Sequence, residues 1–123
     1  MAKLEDYKDL EVFKECRKLV KMTYELTNSF PKEEIYGLTN QVRRSSVSVV
    51  SNISEGMGRQ HITDTIHFMF IARGSLFELE AQTILAFDLG FLNTLYHQEI
   101  TSLIKTCLKL LNGFINYLKT LKK

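Results

Sequence analysis

The sequence predicts an all-α protein, an antiparallel up-down-up-down four-helix bundle, on three observations. Apolar residues recur at helical spacing in four long segments. No stretch alternates in the manner of a half-buried strand. One proline and six glycines among 123 residues leave the segments largely uninterrupted. That length suits one domain, residues 1–123, whose core needs no disulfides. A hydrophobic fraction of 45% and a charged fraction of 24% are ordinary globular values, so disorder is not expected.

The first segment is expected from about Tyr7 to Ser29, where Leu10, Phe13, Cys16 and Val20 form one row and Val12, Leu19, Met22 and Leu26 another. Phe30-Pro31 ends it, because proline drives the residue before it away from α geometry. The second segment, about Leu38 to Ser54, carries a stripe of Leu38, Val42, Val49 and Ile53, with Val47 and Val50 beside it. It is dense in serine (Ser45, Ser46, Ser48, Ser51 and Ser54), which reads as small side chains that let backbones approach closely. Gly56 and Gly58 are expected to break or cap it.

Thr63 or Asp64 can cap the third segment, which reaches Asp88 with Ile66, Phe70, Phe77, Ile84 and Phe87 close to one core-facing stripe and Met69, Leu76 and Leu85 widening it. Asp88-Leu89-Gly90 supplies a stop. Asn93 or Thr94 starts the fourth segment, where Ile100, Leu103, Cys107, Leu110, Phe114 and Leu121 follow near-heptad spacing. Val12 with Leu19, Val47 with Val50, and Leu108 with Ile115 fall partly off the main stripes, which points to self-association.

Charge narrows the function classes. A net charge of +2 does not by itself announce a nucleic-acid binder, but its distribution is uneven. Residues 74–100 hold Glu78, Glu80, Asp88 and Glu99 without a base, whereas residues 101–123 hold five lysines without an acid. On the first segment Lys14, Arg17, Lys18 and Lys21 are spaced to share a helix face, and Lys105 and Lys109 begin a second basic surface. The first segment also carries Glu11, Glu15 and Glu25.

Enzymatic and metal chemistry find little support. No glutamate has a histidine three residues on, HExxH is absent, and His61 and His67 do not share a helix face. No G-x-S-x-G elbow occurs, and Gly56-Met57-Gly58 lacks the rest of a phosphate loop. No catalytic residue, metal site or cofactor is expected. Cys16 and Cys107 read as small core residues. With no signal-like start and no membrane-length apolar run, a cytoplasmic protein without membrane contact is expected.

Two polar patches remain. One is Ser51-Asn52-Ile53-Ser54-Glu55-Gly56-Met57-Gly58-Arg59 with Arg43 and Arg44 upstream, and the other is Ala72-Arg73-Gly74-Ser75-Leu76-Phe77-Glu78-Leu79-Glu80. Arg73 and Glu80 fall within the Phe70, Phe77, Ile84 stripe, where a buried charge demands a partner. The expectation is a structural network of Arg43, Arg44, Asn52, Glu55, Arg73, Glu78 and Glu80 that fixes helix register, with Arg73 paired to a glutamate. A ligand site is the alternative.

These patches, with Leu38-Thr39-Asn40-Gln41-Val42-Arg43-Arg44-Ser45-Ser46, Ser48-Val49, Asn52-Ile53-Ser54-Glu55-Gly56 and the opening Tyr7-Lys8-Asp9-Leu10-Glu11-Val12-Phe13, resemble the 23S rRNA-intervening-sequence proteins over nearly the whole chain. Ser54 stands where that family usually has alanine. The resemblance implies a bacterial four-helix bundle that forms a ring-like homo-oligomer, commonly a pentamer, with no enzymatic activity. Related accessory proteins of diversity-generating retroelements bind nucleic acid and a reverse transcriptase through basic surface. The expected function is therefore a non-enzymatic, oligomeric nucleic-acid (RNA or DNA) or ribonucleoprotein accessory protein, with a protein partner conceivable. The rival is a protein-interaction scaffold that binds no nucleic acid.

Overall fold

Among residues 6–122, which the computed structural model of the chain describes, all regular structure is helical. The helices are α1 (Glu11–Thr27), α2 (Leu38–Met57), α3 (Ile62–Asp88) and α4 (Thr94–Leu121). Each packs against its neighbours in sequence, and α4 closes against α1, which gives the four-helix bundle.

The ends of the helices follow local chemistry. Asp6 accepts from the Lys8 N–H at 3.0 Å and holds a 3-10 turn over Tyr7–Asp9, so α1 begins at Glu11, later than periodicity suggests. The Tyr7 hydroxyl shares a 2.9 Å hydrogen bond with Ser54, which ties this turn to α2. Glu34, in a second 3-10 turn over Lys32–Glu34, accepts from the Leu38 N–H at 3.0 Å. It thereby caps α2 in place of Gly37, which has no side chain to do so. At the end of α3, Gly90 adopts φ +81°, the Phe91 N–H donates to the Ala86 carbonyl at 2.8 Å and the Gly90 N–H to that of Phe87 at 3.0 Å. This is the Schellman arrangement, and glycine alone enters the left-handed region without strain. Asn93 then caps α4 by accepting from the Tyr96 N–H at 2.8 Å, as its sequence position predicts.

Gly56 does not break α2. It lies inside the helix at its contact with α3, where a Cβ would come within 2.7 Å of the Phe68 Cβ and the Met69 Cε. The Thr65 hydroxyl donates to the Gly56 carbonyl at 2.8 Å, so α3 is tied to the α2 backbone at this contact. Gly58 follows as the cap. The serines continue this seam. Ser48 and Ser75 share a 2.9 Å hydrogen bond, and Ser45 donates to Glu78 at 3.2 Å.

The core-facing row of α3 differs from the one that its largest apolar residues suggest. Thr65, Met69, Ala72, Leu76, Leu79, Thr83 and Ala86 are buried, whereas Phe77 is 52% exposed, Ile84 46% and Phe87 37%. The two rows are offset by one residue, about 100° of helix rotation. The serines of α2 meet Ser75 and Glu78 and its Gly56 meets Thr65, Phe68 and Met69, so close contact along this seam, and not side-chain hydrophobicity, sets the row that faces in. Of the expected row Ile66 is buried, as are Met69 and Leu76, which the sequence places beside it, whereas Leu85 is exposed. Two expected off-stripe pairs are corrected as well. Val12, Leu19 and Ile115 belong to the core, while Val47 stays exposed and Val50 and Leu108 are half-buried.

Cys16 of α1 and Cys107 of α4 are buried and reduced. A hydrogen bond with the Cys107 thiol, and then burial, raise the Cys16 thiol far above its ordinary pKa, so it stays protonated. No helix among the described residues is long and apolar enough to cross a membrane.

Candidate nucleic-acid interface

The basic residues of α1 are exposed, as their spacing requires, but they are not equivalent. Lys18 forms an ion pair with Glu15 at 2.7 Å, and that bond raises its pKa. Part of its charge is thereby offset within the helix. Arg17 and Lys21 have no acidic partner among the described residues, and both line a groove between α1 and α2. Lys14, exposed on the same face about a turn before Arg17, does not line that groove.

Along the groove floor lie Val20, Val47, Val50 and Ser51. One end opens into a cleft lined by Tyr24, Ile35, Tyr36, Arg43 and Arg44, and the other reaches Glu55 and Arg59. Arg43 donates from Nε to the Thr27 hydroxyl at 2.8 Å and from Nη2 to the Asn28 Oδ1 at 3.3 Å, with its guanidinium 4.8 Å from the Tyr24 ring centroid. It therefore joins α2 to α1. Arg44 is exposed and has no acidic partner among the described residues. At the far end Arg59 pairs with Glu55 at 2.9 Å and covers the Phe68 ring at 4.6 Å.

Lys105 and Lys109 do not join this surface. The side of α4 that borders Lys18 and Lys21 presents Glu99, Ser102, Leu103 and Thr106. Asn112 and Lys119 instead face α3, through Arg73 and Phe70 respectively, and Lys105 is one heptad before Asn112 on that same side. The two basic surfaces are thus separate.

The expected register-fixing network is also divided. The two ion pairs among the described residues are both local: Lys18–Glu15 lies within α1, and Arg59–Glu55 ties the turn after α2 to its last turn. Arg73 does not meet a glutamate. It donates from Nη1 to the Asn112 Oδ1 at 3.0 Å and stacks over Phe70 at 4.7 Å. The reason is the one-residue offset of α3, which puts Arg73 at the α3–α4 edge, half-buried, and not in a core where a carboxylate would be compulsory. Glu78 serves α2 by accepting from Ser45, and Asn52 donates to the Ser48 carbonyl of its own helix at 2.8 Å. Glu80 is half-buried on the α3–α4 side.

The polar groups around the groove do not assemble a nucleophile with a base. None of the three histidines lines it. His97 is half-buried and stacks on Phe87 with centroids 4.6 Å apart. Among the described residues no three His, Cys, Asp or Glu side chains gather as metal ligands would.

Tyr36 and Ile35, in the turn before α2, are site residues that sequence reasoning passed over. They sit in a linker outside any periodic stripe, and their only signal was an aromatic and an aliphatic residue in a segment expected to be polar.

The family model for 23S rRNA-intervening sequence proteins matches residues 8–113, from the first 3-10 turn into α4. A crystal structure of a protein of unknown function from the S23 ribosomal protein family of Bacteroides thetaiotaomicron VPI-5482 has a similar fold, with a TM-score of 0.76. It is 20% identical over 85% of this chain and 97% of that one. No curated protein matches the chain.

Proposed function

The chain belongs to the 23S rRNA-intervening sequence protein family, and from that premise we propose that it is a non-enzymatic, oligomeric accessory protein that binds nucleic acid in the cytoplasm. The observation that carries the reading is that Arg17 and Lys21 of α1 line an open groove that adjoins the cleft lined by Arg44 of α2, each cation without an acidic partner among the described residues. Such cations cost little to leave in water and gain by displacing counterions from a phosphate chain. Open, unstructured charge of this kind contacts backbone and not base edges, so binding has little sequence preference.

Self-association is supported from the opposite side of the bundle. There α3 leaves Phe77, Ile84 and Leu85 exposed while burying smaller residues, an arrangement that suits a further protein surface. Closure of such copies into a ring, a pentamer on family grounds, would repeat each groove around the assembly and turn weak phosphate contacts into avid ones.

The test is fluorescence anisotropy of a labelled oligonucleotide with the full chain across a salt series. Replacing Arg17 and Lys21 with glutamine is expected to weaken binding alike for unrelated sequences and to flatten the slope of log K against log salt by about one unit per lost contact per protomer. If the wild type binds nothing at low salt, the protein is a scaffold that works through the α3 surface. If the double variant binds as the wild type does, the site belongs at Lys105 and Lys109.

A further inference from the structure

The end of the groove beside the start of α2 holds two tyrosines that phosphate binding leaves unused. Tyr36 is 92% exposed, the highest value of any large apolar side chain in the structure's described part. Tyr24, across the cleft on α1, is 41% exposed and has one ring face covered by the Arg43 guanidinium. Arg43 is itself held by Thr27 and Asn28, so this aromatic–cation pair is fixed in place before any ligand arrives. Arg44 lines the same cleft as the two rings, a space of about 600 Å³ that is within the size range of small-ligand sites.

From the shared lining of this cleft we infer that it binds single-stranded nucleic acid, with an unpaired base stacking on Tyr36 and against the Tyr24–Arg43 pair while Arg44 holds the adjoining phosphate. The inference rests on the nucleic-acid reading of the groove and deepens it. An exposed ring gains when a flat partner removes its face from water, and every base has such a face. A duplex keeps its bases stacked inside and offers this surface only its backbone, so the tyrosines discriminate strandedness where the cations do not. The charge of the groove favours this occupant over an apolar helix. Its lining cations Arg17, Lys21 and Arg44 are unpaired, while Glu25 is the one lining acid without an ion-pair partner among the described residues, because Glu55 is engaged by Arg59.

The test compares a fluorescein-labelled oligothymidine of about 20 nucleotides, longer than the ~4–16 nucleotides of typical single-strand sites, with a duplex of equal length. The full-length wild type, Tyr36→Ala, Tyr36→Phe and Arg44→Gln are titrated at low salt, and each is sized by light scattering. The expected results are tighter binding of the single strand by the wild type and a loss of about tenfold for that strand alone in Tyr36→Ala. Tyr36→Phe keeps the affinity, and Arg44→Gln weakens both ligands. A Tyr36→Ala variant that binds the single strand as tightly as the wild type, or loses both ligands equally, overturns the stacking while leaving the phosphate groove standing. No binding of either ligand by the wild type overturns the groove and the stacking together. A change of assembly mass in Tyr36→Ala with unaltered affinity makes the cleft a protein interface and also overturns the proposal.

Discussion

On the side of α2 that meets α3, Ser45, Ser48 and Gly56 touch Glu78, Ser75 and Thr65 through hydrogen bonds of 2.8–3.2 Å. On the side that borders α1, Arg43, Arg44, Val47 and Ser51 line an open groove. One helix thus serves two purposes, and the difference lies in what each side leaves room for. The inner side has no space for another methyl group at Gly56, so its residues bear on stability. The outer side keeps space and unpaired charge, so its residues bear on what the protein meets. Substitutions on the two sides should therefore move different observables.

The largest effect is expected at the seam. Gly56→Ala gains about 1 kcal/mol of helix propensity, yet its methyl must displace the Phe68 Cβ, which cannot swing away as a flexible side-chain end could. A net loss of about 1–3 kcal/mol is expected, read as a lower urea midpoint at unchanged slope. A stabilised variant would show the seam to be looser than its geometry.

Arg73→Ala comes next and tests whether the α3–α4 edge resembles the seam or the groove. One hydrogen bond to Asn112 and one stacking contact with Phe70 are lost, worth together about 1 kcal/mol at a partly exposed site. A loss of about 3–5 kcal/mol would instead reveal a carboxylate left buried and alone.

Gly74→Ala sharpens the comparison from the other direction. Nothing lies within 4 Å of the added Cβ, and the site is on the exposed side of α3. A gain of about 0.5–1 kcal/mol is expected in the same melts, and any loss would mean that this side is covered in solution. The smallest stability changes belong to the groove. Arg44→Gln and Tyr36→Ala should each shift unfolding by less than about 0.5 kcal/mol, since both side chains are exposed. A larger shift would make the cleft structural.

Much of this was legible in the residues. Pro31, Gly90 and Asn93 punctuate the chain through their own backbone chemistry, which requires no knowledge of neighbours. The bases of α1 are exposed because a charged helix face has nowhere else to go. The face of α3 was not legible, because that helix is apolar around most of its circumference and its larger row is the one turned outward. The ion pair expected of Arg73 failed with it. Tyr36 escaped because a linker residue carries no periodic signal.

Composition and helical spacing determined that this chain is four helices in a bundle, since apolar rows of that length can be buried only against one another. They also determined that α1 presents cations to water. Only the tertiary structure decided which row of α3 is inside and which basic residues share a surface. A helix can rotate by 100° at little local cost, and what settles the rotation is the room left by its neighbour. Here that room was set by Gly56 and the serines of α2, which draw α3 so close that Ala72 and Ser75 fit where Phe77 and Ile84 do not.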